Sequence, residues 1–147
     1  MVSKLNKFKL LEKVATADIA FEAYGKSLEE LFVNSAIATT SVMVDSGNLS
    51  ASVKKSIILS KDSVEDLLFD FLNEIVFLKD AESLLFKVFN VKIADRKGRF
   101  FLDAELSGEE LNPEKHDLKI DVKAVTLHLF KVEKKSSGYV ATVVLDI

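Results

Sequence analysis

Hydrophobic positions change their period as the chain proceeds, and each change marks an element. Residues 5–13 form a short apolar-rich strand pattern, interrupted by the small polar run Val14-Ala-Thr-Ala-Asp18. From Asp18 to Tyr24 the period is two. Ile19, Phe21 and Ala23 alternate with Asp18, Ala20, Glu22 and Tyr24, as in a strand with one face buried. Gly25 closes it. Beyond, Leu28, Leu31, Phe32, Ser35, Thr39, Val42 and Met43 recur at helical spacing and predict a helix over 27–44. Ser27-Leu-Glu-Glu30 supplies a capping box at its start, because a hydroxyl and a carboxylate can satisfy orphan backbone N–H groups. The Asp45-Ser-Gly-Asn48 cluster stops it.

Residues 51–60 predict another strand, leading into a second helix capped near Asp62-Ser-Val-Glu65. Val64, Leu67, Leu68, Phe71, Leu72, Ile75 and Leu78 make one broad apolar stripe, and Phe69, Val76 and Phe77 spill onto its flanks. A helix this apolar is buried on more than one side or presents a contact surface. From residue 84 the pattern is β. Residues 86–94 and 99–106 flank Asp95-Arg-Lys-Gly98, a hairpin turn with glycine where positive φ is needed. A polar loop, GEELNPEKH (108–116), follows. Two more strands, 119–133 and 138–146, flank a Lys-Ser-Ser-Gly138 turn. The order ββαβα then ββββ predicts an α+β fold in two layers. Its expected form is a mostly antiparallel or mixed sheet of about seven strands with two helices on one face.

Composition narrows the function classes. Of 147 residues, 48% are apolar and 29% charged, which places the chain among globular proteins rather than disordered ones. One proline and five glycines leave little room for linkers, so a single domain over 1–147 is expected. The net charge of −3 argues against tight phosphate-backbone binding, so direct nucleic-acid binding is expected to be weak or absent. Absence of cysteine excludes disulfides and thiolate chemistry. No signal-peptide pattern or long apolar run occurs, so no membrane association and a cytoplasmic location are expected.

No nucleophile elbow, phosphate-binding glycine loop or metalloprotease motif is present. His128 lies in a strand pattern with Ile120, Val122, Ala124, Thr126 and Phe130, which predicts a hydrogen-bonded residue in or beside the core. His116 follows Asn112-Pro113 in the polar loop, as either a site residue or a solvated one. Two aspartates sit at strand ends, Asp18 at the start of one and Asp146 at the end of the last. Such carboxylates commonly form turns or charge a sheet edge. They also suit hard cations such as Mg²⁺, Mn²⁺ or Ca²⁺, which take oxygen ligands and keep water in remaining positions.

Several segments together resemble one family. They are TADIAFEAYGKSLEELFVNSAIA (16–38), LLFDFLNEIVFL (67–78), GEELNPEKH (108–116), DVKAVTLHLFKV (121–132) and VVLDI (143–147). Collinear and spread over most of the chain, they are similar to the archease family. One departure is Ala15, where many members have histidine before Thr-Ala-Asp. The resemblance implies a non-enzymatic accessory factor of the tRNA-splicing RNA ligase, which joins 3′-phosphate or 2′,3′-cyclic-phosphate ends to 5′-hydroxyl ends. Such a factor promotes ligase guanylylation and multiple turnover. It also implies a divalent cation held by Asp18, Asp146 and the carbonyl of Ile147, with His116 and Lys123 as candidates for support or partner contact. Asp18 and Asp146 are 128 positions apart, so the fold must bring two distant strand ends together. Two alternatives stand beside this reading. One is a chaperone-like modulator of a tRNA methyltransferase, using the flank Phe69, Val76 and Phe77. The other is a metal-dependent hydrolase built on the two aspartates, with His116 as its base. The oligomeric state is left open.

Overall fold

The computed structural model describes residues 7–11 and 18–147. Among them the order is β1 (Phe8–Leu10), β2 (Asp18–Gly25), α1 (Leu28–Met43), β3 (Val53–Lys61), α2 (Val64–Glu82), β4 (Leu84–Arg96), β5 (Arg99–Glu110), β6 (Ala124–Lys135) and β7 (Gly138–Asp146). The α+β class holds, with two helices and seven strands. Every strand pairing is antiparallel, and the strands divide into two sheets, ordered β1-β2-β7-β6 and β3-β5-β4. The ends of the first predicted strand and Ala15-Thr16-Ala17 fall outside the described residues.

Both helices start as their sequences dictate. Ser27 caps α1 by accepting from the Glu30 N–H (3.1 Å), and Glu30 Oε1 accepts from the Lys26 N–H (3.3 Å), one residue before the cap. Ser63 caps α2 by accepting from the Asp66 N–H at 3.1 Å. α1 lies against β2 and β7 of one sheet and β4 of the other, while α2 lies against β6 of one and β3, β4 and β5 of the other. This placement explains why both helices are apolar beyond a single stripe. One cluster joins Phe21 and Val143, Leu102 and Leu106, Phe32, and Phe71 and Ile75 into a common core. Each such ring or branched chain contributes about 1.5–3 kcal/mol on leaving water.

Two asparagines tie helix to sheet. Asn34 Nδ2 donates to the Tyr24 carbonyl (2.6 Å). Asn73 accepts from the Val125 N–H (3.0 Å) and donates to the Val125 carbonyl (3.3 Å), standing in for a neighbouring strand at the edge of β6. The β4–β5 hairpin turns within the expected Asp95–Gly98 stretch, through Lys97 and Gly98, both at positive φ (55° and 82°).

Three local expectations change. β5 continues to Glu110, so residues 108–110 of the expected polar loop are strand. They stay paired because a bulge at Lys87 in β4 brings Leu85 and Phe86 over Gly108, whose missing side chain leaves room for the Leu85 carbonyl. Residues 119–123 are not part of β6. Lys119 and Ile120 turn to the end of α1 instead, the Lys119 N–H donating to Met43 O and the Ile120 N–H to Val42 O. His128 is exposed rather than beside the core. Between the pairs Thr126↔Val144 and Lys131↔Thr142, four residues of β6 face one of β7. This odd insertion lets Val125 and Val132 both face inward although seven positions separate them. The alternation that carried His128 toward the core stops there.

Candidate functional site

The apolar alternation of two strands sets the position of the two aspartates. Ile19, Phe21 and Ala23 of β2 face Leu145, Val143 and Ala141 of β7, and all six lie on the core side. A one-residue slip would turn every one of these side chains to the opposite face. At the far end a Cβ on Gly138 would lie 2.3 Å from the Gly25 carbonyl oxygen, so the missing side chain of Gly138 lets the chain close up against Gly25 there. The register this fixes runs without a break from Gly25↔Tyr139 to Asp18↔Asp146. Directly opposed residues of an antiparallel pair share a face, with Cβ atoms about 4.5–5.5 Å apart. Two carboxylates distant in sequence therefore stand side by side.

β6 completes the row. Ala124 pairs with Asp146 on its other side, and the Lys123 N–H donates to the Asp146 carbonyl at 2.8 Å. Lys123 is exposed and next to the acid pair through its backbone. Ile147 follows directly, half-buried against the core. Like charges directly opposite one another on a sheet are destabilising. The pair is thus a local cost to the fold, one that a cation between its oxygens would relieve. Among the described residues no third histidine, cysteine, aspartate or glutamate joins it. The donor set is hard and oxygen-only, which fits Mg²⁺, Mn²⁺ or Ca²⁺ and leaves coordination positions for backbone carbonyl and water.

His116 belongs to a different constellation. It is only 4% exposed. Its Nδ1 accepts from the Asn112 N–H (2.8 Å), which leaves the proton on Nε2, facing Glu109 Oε1 at 2.9 Å. Both ring nitrogens are engaged, so in this arrangement the imidazole offers no lone pair to a metal. Glu109 also accepts from Lys115 Nζ and the Ser50 N–H. Lys115, then the Ser50 amide and His116, hold its carboxyl down at about 2. A carboxyl depressed on folding stabilises above its unfolded value of 4.5, and that contribution fades as pH falls toward 2. The stability margin of the wild type over Glu109→Gln is therefore expected to narrow across that window in denaturant titrations. A margin independent of pH would assign the loop's cohesion to other contacts.

A buried lysine escaped the sequence reading. Lys79, near the end of α2, donates to Asp121 Oδ1, to Asp80 Oδ1 and to the Val122 carbonyl. Burial pushes its ammonium toward neutrality, but the hydrogen bonds to Asp121 and Asp80 outweigh this and hold its pKa above the ordinary lysine value. It anchors the segment that leads into Lys123 and β6. The apolar flank of α2 is smaller than its sequence implied. Val76 is buried and Phe69 meets Phe130 edge-on, ring centroids 5.5 Å apart, which leaves Phe77 exposed at 57%.

Residues 8–147 match the model of the Archease protein family (MTH1598/TM1083). The protein archease of Methanosarcina acetivorans is 37% identical over 148 residues, covering 100% of both chains. The chain belongs to the archease family. The protein archease of Pyrococcus furiosus is 39% identical over 133 residues, covering 90% of this chain and 94% of its own. Among solved structures, protein 1598 of Methanobacterium thermoautotrophicum, in solution, superposes with a TM-score of 0.84. It is 35% identical, with 96% of this chain and 99% of its own covered. An archease from Thermotoga maritima, described as a possible chaperone, shares the fold at a TM-score of 0.57. Identity there is 22%, with 90% of this chain and 93% of its own covered. Among the described residues of this archease, no helix is long and apolar enough to cross a membrane.

Proposed function

We propose that this archease is a cytoplasmic accessory factor that activates the tRNA-splicing RNA ligase, promoting guanylylation and repeated turnover without catalysing a reaction itself. The observation that carries the reading is the pairing of Asp18 with Asp146 across adjacent strands. The two carboxylates, with the Ile147 carbonyl, would hold a divalent cation. When bound, that ion supplies charge neutralisation of the kind nucleotidyl transfer demands. The chain's own contribution is positional. Sheet register holds the carboxylates in place, and Lys123 secures the neighbouring strand through its backbone. With few donors from the chain, the site would leave its ion open to a partner's oxygens. The hydrolase alternative loses its base, since His116 is buried with both nitrogens engaged.

The test is ligase guanylylation and multiple turnover with and without the chain. Added wild type should raise both. No stimulation by the wild type at any ratio would refute the proposal.

A further inference from the structure

Lys79 stands where α2 calls for an apolar side chain. Leu72, Ile75 and Val76, seven, four and three residues before it, are buried on the same side of the helix. The lysine side chain is itself only 7% exposed. Burying an ammonium is costly unless its protons find acceptors. Two of its three acceptors do not need it. The carboxylates of Asp121 and Asp80 are 71% and 55% exposed, and water would serve them as well. The third acceptor does. Val122 is fully buried, and its carbonyl accepts from Lys79 Nζ at 2.7 Å. Among the described residues no other donor reaches that oxygen, so without Lys79 it would be an orphan in the core.

The same peptide group reaches the acid pair. A trans peptide is planar and sends its carbonyl and its N–H to opposite sides. Here the carbonyl is that of Val122 and the N–H that of Lys123, which donates to the Asp146 carbonyl at 2.8 Å. One rigid unit therefore runs from the ammonium to the last residue of β7, whose partner across the sheet is Asp18. A positive charge on the carbonyl side polarises the unit and strengthens its N–H as a donor. The grip that Asn73 takes on Val125 holds the body of β6, whereas the grip of Lys79 falls in line with Asp146. Opposed carboxylates push their strand ends apart, and this tie resists that movement. A chelating pair held in place beforehand binds its ion more tightly than one that must first be ordered.

We infer that Lys79 is a positioning residue of the proposed cation site, holding the Asp146 strand end through the Val122–Lys123 peptide. This rests on the reading that Asp18 and Asp146 hold a divalent cation, and the measurements separate the two. Lys79→Met keeps the length of the chain and replaces a buried charge with an apolar group, a change often neutral for folding. In calorimetric titrations of the chelator-treated chain with Mn²⁺ it should weaken binding about tenfold, as loss of an outer partner of a metal ligand does. In the same variant, without metal, the Lys123 amide proton should move upfield and exchange faster with solvent. A lysine that served stability alone would shift the melting temperature and leave the affinity where it was. Asp80→Asn removes an exposed acceptor but keeps the bond to Val122, and should bind Mn²⁺ as the wild type does. A wild type that binds Mn²⁺ and a folded Lys79→Met that binds it equally well overturn the inference and leave the cation site standing. An equal loss in Asp80→Asn would assign the effect to the ion pairs, and overturns it too. Should Lys79→Met fail to fold, the wild type decides. Coupling is reciprocal, so Ca²⁺ should slow solvent exchange of the Lys79 ammonium, and a rate indifferent to Ca²⁺ refutes the link. A wild type that binds no cation removes the site first and this role with it.

Discussion

Asp146→Ala is expected to reduce ligase stimulation to the level of ligase alone while making the cation-free chain slightly more stable. The two effects have one origin. Asp18 and Asp146 are directly opposed on neighbouring strands, and each carboxylate raises the cost of the other. Removing one relieves a repulsion of about 0.2–1 kcal/mol, so thermal unfolding in chelator should move upward. A purely structural aspartate behaves in the opposite way, because its loss removes a turn or cap and lowers stability. Charge reversal, Asp18→Lys, should also abolish stimulation, since it places an ammonium where the cation would sit. Stimulation that survives either substitution would detach the acid pair from function.

Phe71→Ala should have the largest effect on stability, about 3–5 kcal/mol in denaturant titrations. Phe71 is fully buried, and its ring centroid lies 5.8 Å from that of Phe32, tilted at 33°. The contact joins α2 to α1, and each helix in turn touches both sheets. Truncation therefore opens a cavity at the point where the layers meet, and surrounding helices cannot collapse into it without leaving a strand. Domains of this size are stable by only about 5–15 kcal/mol, so the loss is a large share of the whole. Under conditions where the variant remains folded, cation affinity should match the wild type, because the β2–β7 register does not depend on that ring. A loss below about 1 kcal/mol would mean the two helices are held by other contacts.

Much of this fold was legible because local signals agreed with the global arrangement. The Ser27 and Ser63 caps, the Lys97-Gly98 turn and the alternation of Ile19, Phe21 and Ala23 each follow from short-range chemistry, and each is present. The acid pair was half-legible. Each strand end could be read, but their juxtaposition depends on β7 returning beside β2, which no short window encodes. Other features ran against the pattern. The strand pattern put His128 on one face with Val122, Thr126 and Phe130, yet an insertion of odd length leaves His128 exposed and buries Val125 of the opposite parity. Phe69 looks like part of a free flank because Phe130, which covers it, comes from a strand distant in sequence. Lys79 gives no sign of burial, since its neutralising partner Asp121 comes from a distant segment. His116 could not be placed by pattern either. Its burial depends on Glu109, which the loop assignment had put in solvent.

On the proposed reading the two strand ends would jointly hold one divalent cation. Calorimetric titration of the chelator-treated chain with Ca²⁺ or Mn²⁺ tests it directly, using wild type, Asp18→Asn and Asp146→Asn. One saturable site per chain is expected in the wild type and its loss in both variants, each still folded and at least as stable as the wild type without metal. A wild type that binds no cation, or variants that bind as tightly as it does, would contradict it.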